Sequence, residues 1–432
     1  MHTTTRRNVL AAAAAVASGA GVTASAVVAQ PAEAGNGTSG HRLRTGAEVA
    51  AASGWRILRG SRAGIFSNPT GILRDTRHIV DDLAAVEGLN VVAAFGPEHG
   101  FRGSAQAGGS EGDTVDPRTQ IPVYDAYGAN TAKLGQLFTK AGLELVVFDI
   151  QDIGARFYTY IWTLYRAMAA AAPLGLKFVV LDRPNPIGGA ADGAMMTPEF
   201  TSGVGLKEIV QQHGMTVGEL ARFYNGEFLP AEVGSQVELE VVRVEGWRPD
   251  QRAQDLGLPF VPSSPNIPTA DSAAVYAGTC WFEGTNLSEG RGTTRPFELI
   301  GAPYLDYHWG DRLNERSLPG VEFREAYFVP TFNKYVNETC AGVQLHISDV
   351  HRFQPVPTAA AMLIEAKRYE QFQWRYDTYD PQRPYWIDKL SGSPRLRTMI
   401  DAGADLDEVV GAWEDEVRGF ERQRRPYLLY RR

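Results

Sequence analysis

Four short runs of consecutive apolar residues punctuate the first half of the chain: RAGIFSN (62–68), LNVVAAF (89–95), LELVVFDI (143–150) and LKFVVLD (176–182). Between them lie DTRHIVDDLAAVEG, TAKLGQLFTKAG and TYIWTLYRAMAAAAP, in which apolar residues recur at helical spacing. Unbroken β-rich runs that alternate with helices predict strands buried on both faces. The expected fold is therefore α/β, a doubly wound and mostly parallel sheet. A second region, with GVQLHI (342–347), the helical AAAMLIEAKRYEQF and a late helix LDEVVGAWEDEVRGF, predicts a smaller α+β domain. The proline-rich, polar join GWRPDQRAQDLGLPFVPSSPNIPT places the boundary near residue 260.

Each run is followed by a polar loop containing Gly or Pro: PTG, GPEHGFRG, QDIGARFYTY and RPNPIGG. In open α/β sheets ligands bind in the crevice beyond the carboxyl ends of the strands. The four loops are thus expected to converge on one site.

Glu98 stands at the tip of the second loop beside His99 and near Arg102. A carboxyl held against an apolar strand end can act as a general acid, or it can bind the NH groups of its own loop. Asp149 and Asp152, with Arg156 four residues on, are candidates to orient a substrate hydroxyl or to pin the loop as an Asp–Arg pair. Asp182-Arg183 carries the same two readings. Asn185, between prolines, is held in an extended turn. Tyr124, Tyr127, Tyr158 and Tyr160 offer hydroxyls and flat faces suited to sugars, or to packing. His213 and Glu219 read as structural, since Thr216 and Glu219 form a capping box at the start of a helix. The loop FEGTNLSEGRGTTRPFELIGAP (282–303) gathers Glu283, Asn286, Glu289 and Arg291 among four glycines. Arg291 is a candidate to hold a carboxylate through two parallel hydrogen bonds.

The composition is globular, with 44% hydrophobic and 21% charged residues, and the net charge of -8 argues against nucleic acid. The N-terminus pairs Arg6 and Arg7 with a weakly hydrophobic, alanine-rich run. This predicts a twin-arginine signal over residues 1–34 and hence an exported protein, with no stable membrane insertion after cleavage. Residues 35–54 read as a linker, 55–260 as the α/β domain and 261–432 as the smaller C-terminal domain. Cys280 and Cys340 are the only cysteines, and they fit one bridge or two buried thiols equally. A G-x-S-x-G elbow, an H-E-x-x-H helix and a P-loop are all missing, and GAGVTA lies in the signal segment. No metal and no cofactor is expected.

FGPEHGFRG, FDIQDIGARFYTYIWTL, LDRPNPIGG, HGMTVGELA, PSSPNIPT and EGTNLSEGRGTTRPFELIGAP occur in this order, and a closing segment runs from DKLSGSPRLR to FERQRRPYLLY. Together they resemble the exo-β-N-acetylmuramidase family of glycoside hydrolases over about residues 55–432. The resemblance implies a Rossmann-like N-terminal domain and a cleft against the smaller C-terminal one. It also implies removal of terminal N-acetylmuramic acid from the non-reducing end of β-1,4-linked peptidoglycan fragments. Glu98 then carries over as the general acid, and Tyr124 or Tyr127 as a catalytic tyrosine. The candidate substrate contacts are His99, Arg102, Tyr127, Asp149, Asp152, Arg156, Tyr158, Asn185, Asn266, Glu283, Asn286, Glu289 and Arg291. Asp149, Asp152, Glu283 and Glu289 are candidate second carboxylates, with the substrate's own acetamido oxygen as another route. Arg291 or Arg156 is expected to hold the lactyl carboxylate. This chain has LKEIVQQ where the family has an aromatic, proline-containing run, and it has no lipid-anchor cysteine. A capture protein that binds muropeptides without cleaving them is the alternative.

Overall fold

The computed structural model describes residues 42–432, so the predicted signal and the first part of the predicted linker lie outside the described residues. Nine strands belong to the first half: β1 (Arg62–Ser67), β2 (Asn90–Gly96), β3 (Thr114–Val115), β4 (Pro122–Asp125), β5 (Leu145–Asp149), β6 (Lys177–Leu181), β7 (Asp192–Met195), β8 (Val210–Gln212) and β9 (Glu238–Val242). Seven of them form one sheet in the order β3-β4-β2-β1-β5-β6-β9, while β7 and β8 pair as a separate antiparallel ribbon. Every neighbouring pair in the large sheet is parallel except β3 with β4. The chain enters at the centre, winds outward through β2 and β4, and crosses back to β5. The topological switch point therefore falls between β1 and β5.

The four apolar runs became four central strands because both faces of the sheet are covered. On one face Phe66 lies 4.7 Å from Phe95 and 6.1 Å from Phe148, ring centre to ring centre, and Phe138 of helix Thr131–Ala141 meets Phe95 edge-on. On the other face Ile65, Ala94, Val147 and Val179 pack with Trp55 and Leu83. The stretch predicted as a helix from Asp75 is shorter than expected. It runs over Ile79–Ala84 because the His78 ring accepts a hydrogen bond from the Val80 NH and caps it there.

Residues 42–54, expected as linker, instead supply a helix over Gly46–Ala52 that is capped by Thr45 and Glu48 and packs on β6 and β9. A Cβ at position 46 would stand 2.3 Å from the Val242 carbonyl oxygen, so only glycine lets this helix approach the sheet.

The C-terminal region carries β10 (Leu299–Ala302), β11 (Val321–Phe328) and β12 (Cys340–Ile347) as an antiparallel sheet ordered β10-β12-β11. Helix Tyr307–Glu315 packs on β11 and β12 and against helix Pro355–Ala366, which in turn packs on helix Ala270–Thr279. The single late helix expected at 406–420 is two helices, Leu406–Gly411 and Glu414–Arg424, which break where the buried Trp413 leaves helical geometry. One hydrophobic cluster runs through both regions.

The chain then returns to the first region. Arg424 donates to the carbonyls of His213, Gly214 and Gly189, and Tyr430 donates to Asp182 at 2.5 Å. Leu429 NH and Arg432 bind the Glu219 carboxylate. Thr216 and Glu219 form the predicted capping box. Cys280 and Cys340 are free thiols, both buried.

Candidate active site at the sheet's carboxyl edge

The loop after β2 is folded back on itself. His99 takes a left-handed conformation (φ 72°) and its NH reaches the Gly109 carbonyl, while the Ala105 NH returns to the His99 carbonyl. The Glu111 carboxylate accepts from the NH groups of Arg102 and Ser104, and a Cβ at Gly100 would collide with it at 2.2 Å. This closure brings the Gly108 NH to Glu98 Oε1 at 2.9 Å. Thr159 Oγ1 donates to Glu98 Oε2 at 2.7 Å. Thr159 is also the N-cap of helix Tyr160–Ala171, so the positive end of a twelve-residue helix adjoins the carboxylate. Glu98 is thus held at both oxygens, half-buried, at the carboxyl edge of the sheet.

The other candidates divide by what surrounds them. Tyr127 follows β4 and is partly exposed, and burial together with the nearby charges of Glu98 and Asp125 pushes its phenol up. Tyr124 lies on the strand itself, its ring 5.7 Å from Phe95 and beneath the Lys140 amine. Tyr158 is buried, and its hydroxyl donates to Ser263 Oγ at 2.6 Å while Tyr160 donates to the Ser263 carbonyl. These bonds fasten the start of the helix that carries Thr159 to the segment joining the two regions. Asn266, three residues on, is buried, and its Nδ2 has no partner among the described residues.

Several charged candidates are engaged by the protein. Asp149 holds Arg183 through two hydrogen bonds, at 2.5 and 2.9 Å, so the predicted Asp–Arg pair exists with a different arginine. Asp152 accepts from the Gly154 NH and from His213 Nε2, whose Nδ1 in turn accepts from the Met215 NH. Arg156 donates to the carbonyls of Ala194, Ile209 and Leu390, and although its Nε has no partner among the described residues, the side chain is fully buried and closed to a ligand carboxylate. Arg102 is paired with Asp116 and Asp81, which push it up, and the same arginine helps hold Asp116 at about 2. His99 Nδ1 faces the Ala105 carbonyl. Asn185 bonds the Ile187 NH and the Met215 carbonyl.

In the C-terminal loop Arg291 bridges Glu283 and Glu289, and Lys334 and Asn333 complete the shell of Glu289. Asn286 bonds Tyr304 and the backbone at Gln371 and Gln373. The Arg291 guanidinium lies 5.0 Å from the Phe297 ring centre, Phe297 meets Tyr276 at 4.6 Å, and Tyr276 meets Tyr158 at 5.6 Å. An aromatic column therefore links this loop to the wall beside Glu98.

Thr159, Gly108, Asp125 and Ser263 escaped the sequence reading. Thr159 sat between two tyrosines already singled out, and a threonine opening a helix after a strand was its only signal. Among the described residues, no group of three His, Cys, Asp or Glu side chains is placed to hold a metal ion, and no helix is long and apolar enough to cross a membrane.

Comparison with known proteins agrees with this architecture. Residues 63–271 match the N-terminal, and 274–430 the C-terminal, model of exo-β-N-acetylmuramidase NamZ. The peptidoglycan β-N-acetylmuramidase NamZ of Bacillus subtilis (strain 168) is 40% identical over 393 residues, which cover 90% of this chain and 92% of that one. Two crystal structures of DUF1343 family proteins from Bacteroides fragilis NCTC 9343 superpose with TM-scores of 0.80 and 0.70. Each is 32% identical and covers 90% of this chain and 99% of its own. With both domain models matched in order and the fold shared, the chain belongs to the exo-β-N-acetylmuramidase NamZ family.

Proposed function

We propose that this protein is an exported glycosidase that releases terminal N-acetylmuramic acid from the non-reducing end of β-1,4-linked peptidoglycan fragments, with Glu98 as general acid. The family, and the B. subtilis relative named as a peptidoglycan β-N-acetylmuramidase, support the activity. The observation that carries the role of Glu98 is its carboxylate, fixed at the carboxyl edge of the sheet by Thr159 and Gly108. In this proposal those bonds fix the direction in which the protonated carboxyl meets the leaving glycosidic oxygen. Tyr127, a partly exposed phenol that feels the charges of Glu98 and Asp125, orients the reacting sugar. Asp149, Asp152, Glu283 and Glu289 all have protein partners. Those partners are cations or a histidine, whereas Asp125 accepts only from Ser110 Oγ and the Tyr127 NH among the described residues. In this proposal Asp125 or the substrate's acetamido oxygen stabilises the anomeric carbon. Arg291, whose Nη1 has no partner among the described residues, takes the lactyl carboxylate in this proposal. Arg6 and Arg7 and the alanine-rich run after them support export.

The test is to incubate the mature protein and Glu98→Gln with N-acetylmuramic acid-β-1,4-N-acetylglucosamine and follow the free sugars by mass spectrometry. Release by the wild type alone is expected. Release by both moves the acid elsewhere, and binding without release by either would favour a capture protein.

A further inference from the structure

A cleft opens on the same edge of the sheet, astride the switch point and displaced from Glu98 toward β6. Its floor is made by the loops after β1, β5 and β6, and its roof by the segment that joins the two regions. Ile72, Ile153, Phe260 and Val261 make it largely apolar. Of its polar side chains, Glu48 pairs with Arg74, Thr45 caps the Gly46–Ala52 helix, Thr70 bonds Asn68 and the Gln151 NH, and Ser263 accepts from Tyr158. Arg183 and Gln151 keep an unused polar atom. Arg183 turns its Nε–Nη2 edge to Asp149 and the Ile72 carbonyl, and its Nη1 has no partner among the described residues. Gln151 donates from Nε2 to the carbonyls of Asp152 and Pro184, and no described group donates to its Oε1.

Because Asp149 neutralises Arg183 and Glu48 neutralises Arg74, the cleft offers directed hydrogen bonds rather than net charge. It presents one donor, one acceptor and an apolar enclosure. A secondary amide on a short alkyl group satisfies all three: its carbonyl meets Arg183, its NH meets Gln151, and its methyl enters the apolar part. Ser263 connects the two sites, since it lines the cleft and holds the tyrosines on either side of Thr159. Glu98 follows β2 and Arg183 follows β6, three strand spacings away, or about 14 Å. That exceeds the width of one sugar ring, so the group bound here belongs to a different sugar from the one at Glu98.

We infer that this cleft is a distal subsite that reads the N-acetyl group of a sugar in the second repeat of a longer glycan. The inference rests on the muramidase proposal and adds to it a preference for chain length. Val261→Trp fills the cleft, and Phe260→Ala, at a partly exposed position, removes part of its roof without burying anything new. The measurement is KM for the N-acetylmuramic acid–N-acetylglucosamine disaccharide, for the corresponding tetrasaccharide, and for a tetrasaccharide with free amines on its distal repeat.

The wild type is expected to bind the tetrasaccharide about tenfold better than the disaccharide, as one well-made polar contact allows. That gain should vanish in Val261→Trp, shrink in Phe260→Ala and disappear with the free amines. Equal gains in wild type and variants would overturn the subsite while leaving the muramidase proposal intact. If the wild type cleaves neither substrate, the muramidase proposal fails. Calorimetry with the tetrasaccharide then decides the subsite: weaker binding to Val261→Trp supports it and equal binding overturns it.

Discussion

Thr159 Oγ1 stands 2.7 Å from Glu98 Oε2, so the residue that caps a helix also aims the candidate acid. Its hydroxyl makes no capping bond to the helix backbone, which frees it for this second duty. Thr159→Val keeps the shape and removes the bond. One such bond is worth about 1 kcal/mol, so kcat should fall roughly five- to tenfold, while the urea midpoint stays near that of the wild type. A variant with unchanged kcat would show that Gly108 alone suffices to place Glu98.

The Asp149–Arg183 pair tests the floor of the sheet edge. Asp149 is fully buried, and Arg183→Met would leave its carboxylate uncompensated, at a cost of about 3–5 kcal/mol. Adding Asp149→Asn should recover much of that loss. Urea unfolding of the single and double variants checks it, and additive losses would mean that the two residues are not coupled.

Asp182 gives a pH dependence of unusual sign for an aspartate. It is fully buried and accepts from Tyr430, Thr216, the Gly218 NH and the Arg183 NH. None of these donors is a cation: the Arg183 side chain faces Asp149, and Arg432 faces Glu219, whose own charge opposes ionisation of Asp182. Burial pushes the group up to about 7, against about 3.9 in an unfolded chain. Between those values the folded protein holds a proton that the unfolded chain has lost. The stability this contributes is full below about pH 4 and disappears as the pH rises through about 7. Asp182→Asn should flatten that slope in urea midpoints taken from pH 5 to 8. Parallel curves for the two proteins would count against it.

Both thiols are buried, and burial pushes Cys340 up to about 12 and Cys280 well above its ordinary range. Neither should react with a thiol reagent in the native protein, and both should react in guanidinium. Rapid native labelling of either would show that its region opens.

The central strands were legible because burial on both faces writes an unbroken apolar run, as in LELVVFDI for β5. Strand β9 was not, since it lies at the sheet edge and its ELEVV sequence is half exposed. Glu98 was legible from its place after β2. The partners of the charged residues were not: His213 meets Asp152 across 61 positions and Arg183 meets Asp149 across 34. No local pattern encodes such pairings, which is why Arg156 looked available and is in fact enclosed.

Tyr430 reaches Asp182 across 248 positions. A ribosome therefore completes the strands of the large sheet long before it makes the side chain that satisfies a carboxyl at their edge. Until then Asp182 lacks its Tyr430 donor and Glu219 lacks Leu429 and Arg432, and the half-made protein has reason to stay open. Maturation of the first region is thus timed by synthesis of the second, and a fragment cut at the boundary would be expected to await a partner rather than settle alone.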